Sequence, residues 1–194
     1  NSSLNFFLPM LPRNFIRPFA MRYVAGDNEG DALGLVHKLN QLDFSATLDI
    51  LGEHSKSVKE AKVITESYIH LLEVISDSSL DCNISIKLTH LGLGYNDKLA
   101  EDNLFALLET AEKTGNFLRI DMENTPFTDT TLSLYEKCKS SYARVGPVLQ
   151  AYLRRSETDL KRLISHNLNV RICKGIYLET EELAFHDREE IRQN

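Results

Sequence analysis

The chain has 194 residues, 42% hydrophobic and 26% charged, with 22 Lys and Arg against 28 Asp and Glu for a formal charge of −6. That balance is globular, not disordered or collagen-like. It argues against nucleic acid as a partner, because no basic run exists to neutralise phosphates, and no apolar stretch approaches the roughly 20 residues a bilayer crossing requires.

The N-terminal arm is irregular and apolar, with Pro9, Pro12 and Pro18. Its FFLPML segment is apolar enough to touch a membrane surface, although packing against the rest of the protein is the simpler role. Asp31 to Leu42 reads as a lead-in helix. From there short apolar runs alternate with longer amphipathic stretches. Strands are expected at Phe44 to Leu51, Asn83 to Leu88, Phe117 to Met122, Val145 to Tyr152 and Asn169 to Lys174. These runs are mostly aliphatic, as strands covered on both faces are.

Helices are expected between them. Ser57 and Glu60 form a capping-box pattern ahead of Ala61, Ile64, Tyr68, Leu71, Leu72 and Ile75 at helical spacing. Leu99 to Lys113 places Leu104, Leu107, Leu108 and Ala111 on one stripe and stops near Gly115. A third helix runs from Thr128 or Asp129 towards Tyr142. A fourth starts at Ser156 and buries Leu160, Leu163 and Ile164. A polar, mostly acidic tail follows.

The βα order predicts an α/β fold with a parallel sheet, either an open doubly wound sheet or a closed (β/α)8 TIM-type barrel. An open nucleotide-binding sheet is disfavoured, because Gly92-Leu93-Gly94 lacks a third glycine and no G-x-x-x-x-G-K-[ST] occurs. Cys82, Cys138 and Cys173 form no C-x-x-C pair, which points to a reducing, cytosol-like compartment. The N-x-S pattern at Asn83 lies within an apolar run and is read as chance. The six histidines have no metal-ligand spacing, although His54 and His90 follow the first two strands and can line the barrel mouth. Cys173, inside an aliphatic run, is read as a packing residue.

The informative residues stand at the ends of the strands: Asp49, Lys87, Asp121, Gln150 and Lys174, with Arg171 added on the last. In a barrel those ends converge on one face, where charge has no packing reason to be. Two acids and three bases there can bind an anionic substrate and stabilise developing charge. Gly175 after Lys174 suits close backbone approach to a ligand. From these residues alone a Schiff-base, aldolase-like site on Lys87 or Lys174 beside Asp121 is also open, as is a partial barrel with no enzymatic role, its sheet edges exposed.

ATLDILGEH (46–54), SIKLTHLGL (85–93), NFLRIDMENTPFTD (116–129), VLQAYLRRS (148–156) and VRICKGIY (170–177), led by RPFAMRYVAGDNEGDAL (17–33), resemble in this order the proline dehydrogenases, in particular the monofunctional bacterial type. The resemblance implies a (β/α)8 barrel that holds FAD and oxidises L-proline to Δ1-pyrroline-5-carboxylate, passing electrons to a quinone. It implies a cytoplasmic enzyme in peripheral contact with the inner membrane. By motif, Asp121 and Arg171 correspond to the catalytic pair and Lys87 to the group that binds the proline carboxylate. Met122, Gln150, Lys174, Gly175 and Ile176 correspond to flavin contacts.

This chain departs from the family pattern at Ile176, where KGIY replaces KGAY, and at Asn124 and Phe127, where an aspartate and a tyrosine are usual. The family's last strands and its arginine-bearing final helix have no counterpart in these residues. The expected organisation is an N-terminal helical arm over 1–43 and the first five βα units of a barrel over 44–194, inactive as an isolated fragment.

Overall fold

The computed structural model describes residues 24–26, 28–164 and 167–194. The proline-containing arm, its FFLPML segment and His166 lie outside them, as do residues 17–23 and 27 of the 17–33 motif. The chain divides into two compact units, Asn1–Ala46 and Thr47–Asn194. In the first, helix α1 (Glu29–Asn40) starts at Asn28, whose side chain accepts from the Asp31 amide, and buries Val36. Capping of this kind satisfies an amide that the helix cannot.

Five strands follow in the order of the chain: β1 (Ala46–Leu48), β2 (Cys82–Ile86), β3 (Leu118–Ile120), β4 (Val145–Gln150) and β5 (Arg171–Cys173). They form one parallel sheet curled into part of a barrel, as the βα rhythm predicts. Each of the predicted strands is present, shortened at one or both ends. Between them lie α2 (Val58–Asp77), α3 (Asp97–Lys113), α4 (Thr128–Ser141) and α5 (Ser156–Leu163).

Ser57 caps α2 by accepting from the Glu60 amide, and the Glu60 carboxylate reaches back to the Lys56 amide. Gly115 ends α3 at φ +64, the left-handed geometry that favours glycine. The buried stripe of α2 substitutes Thr65 for the expected Ile64. Thr65 is accommodated because its hydroxyl donates to the Ala61 carbonyl at 2.8 Å. On α5, Ile164 is 67% exposed instead of buried. The helix is only eight residues long and turns Ser156, Asp159 and Leu163 inward, so its apolar face ends at Leu163.

The register fixes which residues share a face. Ile84, Leu118 and Val145 are aligned, then Ser85, Arg119 and Gly146, then Ile86, Ile120 and Pro147. Ile84, Ile86, Leu118, Ile120 and Val145 are fully buried against the helices. Each such side chain removed from water contributes about 1.5–3 kcal/mol. The alternate residues, Ser85, Lys87, Arg119, Asp121, Val148 and Gln150, line the opposite, inward face. Beyond β5 the acidic tail is ordered: Leu153 bridges to Ala184, and α6 (Arg188–Gln193) sets Ile191 against Tyr152 and Leu153. All three cysteines are free, and burial pushes the thiols of Cys82 to about 11 and Cys138 to about 12, which makes them inert packing groups.

Candidate active site

Asp49, Lys87, Asp121 and Lys174 each stand immediately after a strand, and Gln150 is the last residue of β4. The register sets Arg171 opposite Val148, one step above the Ile86–Ile120–Pro147 level, which is the step occupied by Lys87 and Asp121. Three of the predicted residues, from β2, β3 and β5, thus share one level of the inward face.

They are joined by direct contacts. Lys87 Nζ lies 3.2 Å from Asp49 and 3.7 Å from Asp121. Arg171 Nη2 donates to Asp121 Oδ1 at 2.7 Å, and the Ser85 hydroxyl donates to the same oxygen. Asp121 is therefore held between two cations and a hydroxyl, with its side chain 16% exposed, while that of Arg171 is 47% exposed. Arg171 spends one nitrogen on Asp121 and presents much of its guanidinium to the open side. Burial draws the Lys87 ammonium down, but Asp49 and Asp121 together outweigh it, and its pKa is raised. Lys87 is a fixed cation.

A second, drier layer lies around Glu123. Its carboxylate accepts from the Thr89 amide at 3.0 Å and from the Thr89 hydroxyl, and burial raises its pKa. Gln150 is buried and donates to the Glu123 carbonyl at 2.9 Å. Met122 is buried beside them. His90 is also buried, with Nδ1 unpartnered, its ring packed over Gly52; burial and then Lys87 lower its pKa. Across the mouth the Tyr177 hydroxyl meets Glu53 at 3.2 Å, and Glu179 accepts from the Thr125 amide at 2.8 Å. The His54 ring lies 6.1 Å from that of Phe127, which covers Gly94.

Gly175, Lys174 and Ile176 form the rim after β5. Gly175 has φ +106, and a Cβ there would lie 2.1 Å from the Tyr152 ring, so the neighbouring tyrosine requires this glycine. Ile176 is 86% exposed. Sequence inspection missed Ser85, Thr89, Arg119, Glu123 and Asn169. A signal for two of them existed: the alternation within NISIKL and FLRID puts Ser85 on the row of Lys87, and Arg119 on the row of Asp121. A separate polar cleft of about 290 Å³, bordered by Asn83, Asn116 and Arg144, contains none of these residues.

Parallel βα units with charged side chains gathered at the C-terminal strand ends define the class: a barrel-type α/β architecture with a pre-arranged ionic cluster. The proline dehydrogenase family model matches residues 32–189, and the chain belongs to that family. It is 38% identical over 169 residues to proline dehydrogenase 1 of Bacillus subtilis subsp. natto, covering 87% of this chain and 56% of the relative. Proline dehydrogenase 2 of Bacillus subtilis strain 168 is 34% identical over 189 residues, covering 97% and 62%. The chain thus spans a little over half the length of these relatives. Among solved structures, proline utilization A (PutA) from Bdellovibrio bacteriovorus superposes with a TM-score of 0.75 at 23% identity, over 87% of this chain and 22% of that one. The likeness supports the barrel fold.

Proposed function

We propose that the protein oxidises L-proline to Δ1-pyrroline-5-carboxylate as a FAD-dependent dehydrogenase whose electrons pass to a quinone. The observation that carries this reading is the Asp49–Lys87–Asp121–Arg171 network at one level of the strand ends, in a chain of this family.

The side chains suit a flavin and an amino acid. The half-exposed Arg171 and exposed Lys174 supply cations, and exposed Ile176 supplies apolar surface after the same strand. Lys174, Gly175 and Ile176 would hold the cofactor from β5, and buried Met122 and Gln150 would form the floor beneath it. Bound FAD supplies the hydride acceptor. Lys87, kept protonated by Asp49 and Asp121, binds the substrate carboxylate and sets the ring's orientation. Arg171 places positive charge where negative charge accumulates, and Asp121 holds Arg171 and Lys87 in register. The buried Thr89–Glu123–Gln150 layer keeps water from below. The raised pKa of Lys87 argues against the aldolase reading at that residue, since a Schiff-base lysine must lose its proton readily.

Among the described residues no helix is long and apolar enough to cross a membrane. In this reading the enzyme works in the cytoplasm and meets the membrane peripherally to reach its quinone. Purified full-length protein should be yellow with flavin absorbance and should reduce a quinone analogue with L-proline. Colourless protein without proline activity overturns the proposal.

A further inference from the structure

We infer that Arg119 is a positioning residue for Arg171: it fixes the entry to β5 by reaching across β4 through a gap that Gly146 leaves open. What Arg171 does rests on the function proposed above; the fixing rests on geometry alone.

Two cross-barrel rungs join β3 to the β5 segment across β4. In the upper rung Arg171 donates to Asp121 at 2.7 Å. In the lower rung, two residues back on each side, Arg119 Nη1 donates to the Asn169 carbonyl at 2.8 Å and Nη2 to Asn169 Oδ1 at 2.8 Å. Nη1 also donates to the Pro147 carbonyl on β4 at 3.2 Å. A planar guanidinium fork gripping both oxygens of one residue fixes direction as well as distance. The Phe117 ring lies 4.6 Å from the Arg119 guanidinium carbon, which steadies it from the other side.

The route across β4 depends on one position. Gly146 is the register partner of Arg119, and a Cβ on it would lie 2.1 Å from the Asn169 carbonyl oxygen, 2.6 Å from Arg119 Nη1 and 2.8 Å from Phe117 Cζ. No other residue type fits there while the rung exists. The grip matters because the ladder from β4 to β5 pairs only Arg171, Ile172 and Cys173. Asn169 lies before its first pair, so the lower end of this strand is held from β3, two residues from Asp121. The cations alternate, with Arg119 on β3 below and Arg171 on β5 above, and Asp121 bonds the upper one. Loss of the lower rung frees Asn169 and lets Arg171 shift against Asp121, and a displacement near 1 Å at such a group costs up to about 100-fold in rate.

The test uses the full-length, flavin-loaded enzyme. Arg119→Met should lower kcat about tenfold with KM within about twofold and flavin content unchanged, and should speed amide hydrogen exchange over 169–174. In an Arg171→Met background the same substitution should cost less than about twofold further in kcat, because the group it positions is gone. Arg119→Lys should recover only part of the loss, since an ammonium cannot grip two oxygens at once. If Arg119→Met fails to fold, Arg119→Lys and Gly146→Ala carry the same comparison in the two backgrounds. Equal losses in both backgrounds, or a lowered Tm with unchanged kcat and unchanged exchange over 169–174, overturn the inference. A parent enzyme with flavin but no proline turnover overturns the proposed function instead, and hydrogen exchange in Arg119→Met then decides the rung by itself.

Discussion

The same three strands present two unlike faces. Outward, Ile84, Ile86, Leu118, Ile120 and Val145 are fully buried under the helices. Inward, one residue along, stand Ser85, Lys87, Arg119, Asp121 and Gln150, tied by hydrogen bonds and ion pairs. Stability is concentrated on one row and chemistry on the other, and a strand's period of two is what keeps them apart. An exposed side chain on the inward row, such as that of Arg171, can therefore be exchanged at small cost in folding, whereas those on the outward row cannot.

The largest expected effect tests the outward row. Ile120→Ala should destabilise the full-length protein by about 2–5 kcal/mol in chemical denaturation, since the close-packed site cannot collapse around the void. A loss below about 1 kcal/mol would mean that the helices do not pack on this row as described. Next comes the inward row. Arg171→Met or Asp121→Ala should depress proline turnover at least tenfold, about 1.4 kcal/mol of barrier. Arg171→Met should change stability by less than about 1 kcal/mol, because Arg171 is half exposed and its ion pair is screened. If Arg171→Met destabilises as strongly as Ile120→Ala, the division between the rows fails. Lys87→Met should act more narrowly, raising the proline KM with flavin still bound. Unchanged KM would remove Lys87 from the carboxylate site.

The outward row was legible in the sequence because burial leaves a composition signal: five aliphatic runs in register with five amphipathic stretches specify a parallel βα fold. The strand-end charges were legible for the same reason in reverse, as polar residues where packing expects none. What escaped were residues whose roles exist only across the sheet. Arg119 and Asn169 are 50 positions apart, and their pairing depends on register and on the absence of a side chain at Gly146. Glu123 carries no mark of its own in the sequence, and it is its burial against Thr89 that sets it apart from Asp121. Gly175 was singled out for backbone approach to a ligand, and the ring of Tyr152 packed against it gives that position a packing reason the sequence does not show. Ile164 misled because helical spacing continues past the point where α5 ends.

The smallest effect separates two carboxyl groups of the site, Asp121 between cations and the buried Glu123, whose hydrogen bonds come from Thr89. Burial raises the Glu123 pKa above its ordinary 4.5, with the Thr89 hydrogen bonds opposing it. A carboxyl group whose folded pKa is raised holds its proton longer in the native state than in the unfolded chain. Its contribution to stability is fully present below about 4.5 and is lost as pH rises through the folded value. His90 has the opposite sign: with its folded pKa lowered from 6.5 by burial and by Lys87, it contributes stability that falls away as pH drops below the ordinary histidine value. Glu123→Gln keeps an acceptor for Thr89 and removes the proton. The variant should therefore flatten the decline of Tm with rising pH above about 4.5 and leave the histidine limb intact. An unchanged Tm–pH curve would show that burial does not hold the proton on Glu123, and the buried layer would lose its distinction from the ionic one.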